Sequence, residues 1–574
     1  MIEILRGLRL ILSPADKWRM LGLVGLLTFG ALLEIAGLGL LLPVVAAFTK
    51  PELFEQNRFL HLFRSLFAGA GETSFLLICC LLITLVYAGK NLWLYFTIHL
   101  YTKFVYGRLT DLTGRLYDLF LHCPYRIFAE RGKVELNITI NKVEQMCGMV
   151  MLPAMLITVD ALTVLFISGA LMVTIPGVVL GCAAFFFVGS LIFYLPVRRK
   201  SSLTGKKINA LMSSITKLSF YSLEDIKSLR VLGAEEHFSR RFLQLRREKC
   251  ACDTDFYVLG QIPRLLLETM AVAAALAVLA VMLWIGRPIG TVILSFGLLI
   301  AAMSRLLPSI SRINYSLNTI RVGQPIFREI IDALQWGREE LGDPAARFEF
   351  RKELRIRDLS FAYDEKGPRI IDHLNLTLPR NSSLAVVGPT GGGKSTFIDL
   401  LLGFYKPLAG TIEADGRNIH EALGAWRRLI GFVPQFIVLA DASIAVNVAV
   451  GMDEKEIDRE RVKKVLETAQ LWEFVASLPQ GMDTPVGDNG MRLSGGQRQR
   501  LGIARALYRD PEIIIFDEAT SALDTETEEA LINALEALRG RKTLIMVAHR
   551  LSTVAKCDQR LEIGTASAAG ADSK

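Results

Sequence analysis

The chain has 574 residues, of which 51% are hydrophobic, and a formal net charge of +8. This length exceeds a single domain, and near residue 325 long apolar runs give way to an ordinary soluble mixture of residues. A basic balance alone would suggest nucleic acid, but apolar runs this long make cytoplasmic loops facing anionic lipid the simpler interpretation, and no nucleic-acid partner is expected.

The eight cysteines do not form a pattern typical of a metal site or a disulfide framework. Cys250 and Cys252 make a single CxC pair with no second pair, which is too little for a zinc site. The scatter of the others indicates unpaired thiols in a reducing compartment.

The N-terminal stretch, residues 1–19, predicts an amphipathic helix that lies on the inner membrane surface. It lacks the apolar core and small-residue cleavage site of a signal peptide. Its cations, Arg6, Arg9, Lys17 and Arg19, would face the headgroups.

Residues 20–325 predict a transmembrane domain. A helix needs about 20 apolar residues to cross a bilayer. Six runs meet this length, at 20–48, 74–98, 151–175, 177–197, 265–286 and 290–310. The segments 99–150 and 198–264 between them are rich in Lys and Arg, so they and both termini are expected in the cytoplasm.

The two basic segments each predict a pair of helices that continue the flanking spans and meet at a short turn. Pro124 and Gly132 mark the first turn. Aromatic residues at the tips indicate docking onto another surface rather than a plain solvated hairpin. These residues are Tyr125, Phe128, Phe220 and Tyr221.

The outer loop predicts an external helix near 52–67 with one apolar face, formed by Phe59, Phe63, Leu66 and Phe67. It could lie on the outer membrane surface or pack back onto the spans, and the pattern favours neither.

Four cations are expected at the depth of the inner-leaflet headgroups: Lys90, Arg264, Arg305 and Arg312. No acidic residue stands beside the last two in "AAMSRLLPSISR". Buried cations without acidic partners require an anion, so the pattern predicts a bound phosphate or diphosphate headgroup. The alternative is that each cation merely snorkels to the interface.

After a linker at 326–352, the region 353–564 carries a phosphate loop between an apolar strand, "SLAVV", and a helix. Its glycines let backbone amides approach the phosphates, Lys394 reaches the β and γ phosphates, and the Ser395 hydroxyl binds Mg²⁺. The loop comprises Gly388, Pro389, Thr390, Gly391, Gly392, Gly393, Lys394, Ser395 and Thr396.

Two acidic residues follow the apolar strand in "EIIIFDEATSALD". Asp517 is placed to hold Mg²⁺ through water, and Glu518 to polarise the attacking water as a general base.

The stretch "RLSGGQRQR" predicts a helix N-terminus that can bind an anion. Ser494, Gly495, Gly496 and Gln497 open this helix. A second phosphate site in a chain that already has a phosphate loop indicates two copies paired head-to-tail, each covering the ATP of the other.

The motifs "GPTGGGKST", "LSGGQRQR" and "IIIFDEATSALD", in this order, resemble those of ABC transporters. The resemblance implies a half-size exporter. Its fold would be a membrane α-helical domain of six spanning helices with long cytoplasmic extensions, fused to an α/β P-loop ABC nucleotide-binding domain. It implies ATP and Mg²⁺ as cofactors, a homodimer in a bacterial inner membrane, and hairpin tips that act as coupling helices.

The same resemblance assigns four further residues. Tyr363 would stack on adenine, Gln435 would sense Mg²⁺ and the membrane domain, Asp524 would contact the other subunit, and His549 would bind the γ-phosphate. The chain departs from the family at Asp488, where glutamate is usual, and its last residues, 565–574, are expected to be a tail outside the fold.

The external helix and the stretches "SRLLPSISR" and "IPRLLLE" resemble the lipid-linked oligosaccharide flippases of bacterial N-glycosylation. This implies a polyprenyl-diphosphate glycan as substrate. A lipid A, phospholipid or other amphiphile exporter, including a drug exporter, is the alternative. A soluble ATPase of the chromosome-maintenance kind conflicts with the six spans, and intact Glu518 argues against an ATP-gated channel.

Overall fold

The structure is a computed structural model that describes residues 7, 11–39, 65, 72–174, 176–286, 289–343, 347–364, 366–517, 536–547 and 556–564. The predicted external helix, apart from Ser65, and the predicted tail lie outside the described residues. The chain divides into two compact units. The first is Met1–Cys123 with Ile127–Gly337, and the second is Pro124–Arg126 with Arg338–Lys574.

Helices, several of them long, make up the described part of the first half of the chain. They are α1 (Pro14–Gly39), α2 (Glu72–His122), α3 (Tyr125–Arg131), α4 (Lys133–Met146), α5 (Leu152–Thr174), α6 (Pro176–Glu224), α7 (Ile226–Val231), α8 (Glu235–Trp284) and α9 (Ile289–Leu334). Helices α2, α6 and α8 have 51, 49 and 50 residues. At 1.5 Å per residue each is about 75 Å long, more than twice the hydrocarbon core, as the predicted extensions require.

Three stretches among the described residues are long and apolar enough to cross a membrane: Cys80–His122, Lys133–Met172 and Glu235–Trp284. They contain most, but not all, of the predicted spans at 74–98, 151–175 and 265–286. The other three spans stay predictions, since their residues or side chains lie partly outside the described part of the chain.

Helix α1 begins at a local capping arrangement that the sequence analysis overlooked. The backbone N–H and hydroxyl of Ser13 donate to the Asp16 carboxylate at 3.0 and 2.7 Å, and the Asp16 N–H donates back to the Ser13 hydroxyl. Pro14 occupies the first helical position, where its missing N–H costs nothing. The predicted helix over residues 1–19 is therefore interrupted at Leu12 and Ser13, and its last residues, from Pro14 onward, belong to α1.

Helix α9 also corrects a boundary. The predicted linker starts at 326, but the helix continues through Leu334. Phe327, Ile330 and Ala333 are all buried in one apolar cluster with Leu116 of α2 and Met146 of α4. This packing keeps the chain helical through Pro325 and beyond the change in composition near residue 325 that suggested the boundary.

The second unit contains two sheets. Its strands are β1 (Glu353–Phe361), β2 (Ile371–Pro379), β3 (Ser383–Val387), β4 (Ala409–Ala414), β5 (Arg417–Asn418), β6 (Ile430–Val433), β7 (Ile513–Asp517), β8 (Thr543–Val547) and β9 (Gln559–Glu562). One sheet has the order β2-β1-β4-β5, and its pairs are antiparallel. The other is parallel, in the order β6-β7-β8-β3-β9.

The second unit also contains helices. They are α10 (Lys394–Leu401), α11 (Leu423–Arg428), α12 (Ile444–Val448), α13 (Arg459–Thr468), α14 (Trp472–Ser477) and α15 (Gly495–Leu507). Ile513 and Ile515 of β7 belong to one buried cluster, and Ile514 and Phe516 belong to another. Alternate residues of the strand thus fill two cores, which explains its unbroken apolar run.

Candidate functional site

The phosphate loop joins β3 to α10, as predicted, and its backbone requires glycine. Gly388 has φ +149° and Gly393, which caps α10, has φ +101°. A Cβ at Gly388 would overlap the carbonyl oxygen of Ile563, and one at Gly393 would lie 2.7 Å from Ile370 Cγ2. Only glycine fits both the conformation and the space.

Lys394 lies inside this loop and is 5% exposed. Its ammonium donates to the carbonyl oxygens of Gly388 and Pro389, at 2.9 and 3.0 Å. The charge is therefore held at the inner surface of the loop, beside the backbone amides that open α10. Ser395 and Thr390 are exposed at the same loop. This arrangement suits the phosphates of a nucleotide.

Tyr363 lies beside the loop with 48% of its surface exposed. Its hydroxyl is 3.0 Å from the Thr396 hydroxyl, which fixes the ring to α10. The rings of Phe361 and Tyr405 lie nearly perpendicular to it, with centroids 5.2 and 5.3 Å away. About half of the Tyr363 surface remains exposed, which leaves room for a stacked base. Tyr363 also lines a cavity of about 920 Å³, large enough for an adenine ring.

Replacing Tyr363 by leucine should raise the KM for ATP about tenfold, since base–aromatic stacking contributes about 1–3 kcal/mol. Tyr363→Phe keeps the ring and loses only the hydrogen bond to Thr396, so its KM should rise no more than about threefold. Steady-state ATPase assays measure both values. Equal effects of the two variants would contradict a stacking role.

The acidic end of β7 lies at the same edge of the sheet as Gln435. Strands β6 and β7 are paired in parallel with Val433 opposite Phe516, and Asp517 and Gln435 follow these positions. Their oxygens and the Ser395 hydroxyl are the kind of donor that Mg²⁺ prefers, so the donor set fits the expected ion.

Asp399 of α10 is a residue near this edge that the sequence analysis missed. Burial, and then the negative charge of Asp517, raises the pKa of its carboxyl to about 6. Strand β7, which ends at Asp517, contacts α10, which begins with Lys394 and Ser395. The sequence feature that could have indicated Asp399 was its position as the single acidic residue in the apolar stretch "FIDLLL".

The predicted anion-binding helix is α15, and Ser494 is its N-cap. The Ser494 hydroxyl accepts from the Gln497 N–H at 3.2 Å, and the Gln497 side chain accepts from the Ser494 N–H at 2.8 Å. This is a capping box, so within the chain Gln497 serves as a cap. Ser494 and Gly495 are exposed, while Gly496 is buried.

The loop after Gln435 is fastened to the C-terminal part of α15 by a pair of residues that the motifs did not indicate. Arg505 donates to the carbonyl oxygens of Asn447 and Val438, at 2.8 and 2.9 Å. The Asn447 side chain, 1% exposed, accepts from Ala440 N–H at 2.9 Å and donates to Ala440 O at 3.0 Å. Burial lowers the pKa of Arg505, because protein carbonyls replace its water.

The same loop also packs on α15. A Cβ at Gly502 would overlap the side chain of Ile437, so the loop lies directly against the helix. We name the contacts of Arg505, Asn447 and Gly502 with this loop the α15 clasp. It joins the loop that carries Gln435 to the helix that begins at Gly495.

One predicted hairpin tip lies in the second unit, which includes Pro124–Arg126. The Tyr125 ring stacks on Phe404 with centroids 4.4 Å apart and meets Tyr405 edge-on at 6.1 Å. The docking role expected for the two tips stays a prediction. Phe220 and Tyr221 of the second predicted tip are exposed.

Three predicted site residues, Glu518, Asp524 and His549, lie outside the described residues. Their roles as general base, subunit contact and γ-phosphate ligand stay predictions.

The expectation that the membrane cations lack acidic partners is wrong. Lys90 and Arg305 both pair with Glu34, at 2.9 and 3.3 Å. Arg312 donates to Asp160, 2% exposed, with a shortest distance of 2.6 Å. Arg264 pairs with Glu268 at 2.9 Å, one helical turn away.

Two of these partners are distant in sequence. Glu34 is on α1 and Asp160 is on α5, so the local stretch around Arg305 and Arg312 could not reveal them. The available signal was one acidic residue inside each apolar span, in "ALLEIAG" and "LITVDALTV". An ionisable residue there indicates a partner or a functional site.

Comparison with known proteins agrees with the motifs. Residues 371–521 match the family described as ABC transporter. The chain is 31% identical over 463 residues to the ATP-dependent lipid A-core flippase of Burkholderia pseudomallei (strain 1710b), covering 79% of this chain and 76% of that protein. It is 33% identical over 464 residues to the protein of the same name from Ralstonia nicotianae, with the same coverage.

A solved structure of a bacterial Atm1-family ABC exporter with ATP bound shares the fold. The TM-score is 0.76 at 24% identity, over 96% of this chain and 94% of that one. With the phosphate loop, the capped α15 and the two-sheet unit in place, the chain belongs to the ABC transporter family, as an ATP-hydrolysing translocase with a half-size exporter fold.

Proposed function

We propose that this chain is one half of a homodimeric flippase that uses ATP to move an amphiphile with a phosphorylated headgroup from the inner to the outer leaflet of a bacterial inner membrane. A glycolipid of the lipid A-core kind is the leading substrate. The observation that carries this proposal is the similarity to lipid A-core flippases over about four fifths of the chain.

The polyprenyl-diphosphate glycan expected from the sequence is less well supported. The relatives have a different named substrate, and the argument for a diphosphate rested on four unpaired cations. Those cations have three carboxylate partners, Glu34, Asp160 and Glu268, which leaves one excess positive charge. One excess charge suits a phosphate headgroup without selecting a diphosphate.

The nucleotide-binding unit supports a head-to-tail homodimer. Ser494 and Gly495 are exposed at the start of α15, and the phosphate loop provides a separate site for phosphates. If each α15 covers the ATP of the other subunit, both anion-binding features have a ligand. In this arrangement both termini are cytoplasmic, as the charge distribution predicts.

The expected chemistry divides among residues of one chain and the partner copy. Lys394 and the loop amides hold the β and γ phosphates, and Mg²⁺ supplies charge compensation for them. Ser395, Asp517 and Gln435 would hold the ion. Glu518 would accept a proton from the attacking water, and His549 would bind the γ-phosphate.

Reconstituted flipping tests the proposal. In proteoliposomes, the wild-type protein should move a labelled lipid A-core glycolipid only when ATP and Mg²⁺ are present, and Glu518→Gln should bind ATP without turnover. A parallel assay uses a polyprenyl-diphosphate oligosaccharide. If only the polyprenyl-diphosphate oligosaccharide is flipped, it takes the place of the lipid A-core glycolipid as the proposed substrate. Flipping of neither lipid, with ATP hydrolysis intact, would overturn the assignment to phosphorylated amphiphiles.

A further inference from the structure

Glu34 on α1 is the centre of a charged cluster within the predicted spans. Lys90 of α2 donates to its Oε1 at 2.9 Å, and Arg305 of α9 lies 3.3 Å from the same oxygen. Three helices that are far apart in sequence therefore meet at one carboxylate oxygen.

The ring of Tyr87 completes the cluster. Lys90 Nζ lies 5.2 Å from the ring centroid, and the Arg305 guanidinium carbon lies 5.4 Å from it. Both cations thus share the ring as well as the carboxylate. The attraction of each cation to the aromatic face helps hold the two together despite their like charge.

The cluster has one negative and two positive charges. A net charge of +1 inside a membrane protein is costly unless an anion compensates it. The two cations are not equivalent, because Lys90 is 6% exposed while Arg305 is 37% exposed and has the longer contact with Glu34. Arg305 is therefore the cation that an incoming anion can reach.

We infer that Glu34 is an internal counter-ion, which holds Lys90 and Arg305 when no substrate is bound and is displaced from Arg305 by the headgroup phosphate. This inference rests on the proposed function and adds a residue to it. The carboxylate and the phosphate compete for the same cation, so Glu34 weakens substrate binding and speeds headgroup release.

Competition and simple structural support predict opposite changes in affinity. If Glu34 competes with the phosphate, Glu34→Gln should bind a phosphorylated amphiphile at least about fivefold more tightly, since the substitution removes the carboxylate that attracts the same cation. If Glu34 only maintains the helix packing, the same substitution should weaken binding or leave it unchanged.

The experiment measures binding of a lipid A-core glycolipid, and of its dephosphorylated form, to the full-length protein in nanodiscs. Glu34→Gln should bind the phosphorylated lipid more tightly and the dephosphorylated lipid as the wild type does. The thermal midpoint should be lower than in the wild type without lipid, and its rise on adding phosphorylated lipid should be larger.

Glu236→Gln is the matched control. Glu236 pairs with Arg240 at 3.5 Å, and both side chains are exposed. The Glu236→Gln variant loses the same charge at a position far from the cluster in sequence. Its affinity for both lipids should equal that of the wild type. A similar gain in this variant would attribute the effect to net charge and overturn the inference.

A double substitution locates the competition at Arg305. Glu34→Gln should no longer tighten binding when Arg305 is replaced by glutamine, so the two effects should be non-additive. Additive effects would contradict the inference. Failure of the wild type to bind or flip any phosphorylated lipid would instead refute the proposed function, so the two failures are distinguishable.

Discussion

ATP hydrolysis should fall about 100-fold or more when Lys394 is replaced by methionine, because the site loses the charge that stabilises the phosphates in the transition state. The carbonyls of Gly388 and Pro389 hold the ammonium at the loop. Among the described residues of the loop, no other cation is present that could take the place of Lys394. Methionine is an unbranched side chain of similar size, and it removes both the charge and the hydrogen-bond donors to these carbonyls. Steady-state ATPase activity in detergent or nanodiscs measures the effect.

Lys455→Met is the control for this loss. Lys455 is exposed on a short helical turn at Glu454–Glu456, outside the phosphate loop, so its replacement should leave the rate within about twofold of the wild type. A comparable rate in the Lys394 variant would contradict the assignment of the phosphate site.

Arg505→Ala should lower kcat at least about tenfold with a smaller change in the KM for ATP. The substitution leaves the carbonyls of Val438 and Asn447 without their donor, at a cost of about 1–3 kcal/mol each if water does not replace it. The loop that carries Gln435 would lose its attachment to α15, while Tyr363 and the phosphate loop would still bind the nucleotide. ATPase kinetics with circular dichroism as a folding check separate the two parameters.

Gly502→Ala examines the α15 clasp from its other side. The added methyl group would displace Ile437 but leave the Arg505 hydrogen-bond donors in place. If the position of the loop matters, this variant should also lose kcat, whereas Arg500→Ala, on the same helix, should lose less. A higher KM for ATP with an unchanged kcat in Arg505→Ala would refute the positioning role.

The nucleotide site could be predicted largely because its chemistry is local in sequence. Nine consecutive residues form the phosphate loop, and the strand before it and the helix after it are visible as an apolar run and a helical pattern. The capping box at Ser494 and Gln497 likewise lies within one turn. The Ser13–Asp16 cap was equally local, and "SPAD" followed by an apolar run was a sufficient signal for it.

The membrane cluster and the α15 clasp could not be predicted in the same way. Glu34 and Lys90 are 56 residues apart, and Arg505 and Asn447 are 58 residues apart. Their pairing depends on which helix faces lie together, and neither propensity nor periodicity specifies this for helices that are apolar on most sides. The error about unpaired arginines follows from considering neighbours in sequence alone.

The contact between Gly388 and Ile563 bears on the order in which this protein matures. Strand β9 pairs with β3, the Ile563 N–H donates to the Val387 carbonyl at 2.9 Å, and the Ile563 carbonyl lies directly behind Gly388. The phosphate loop is therefore unsupported until residue 563 has been synthesised. At about 5–20 residues per second this is roughly 10–35 s after Gly388 is synthesised. The helices of the first unit are translated earlier still, so a nascent chain can insert them before it is able to consume ATP.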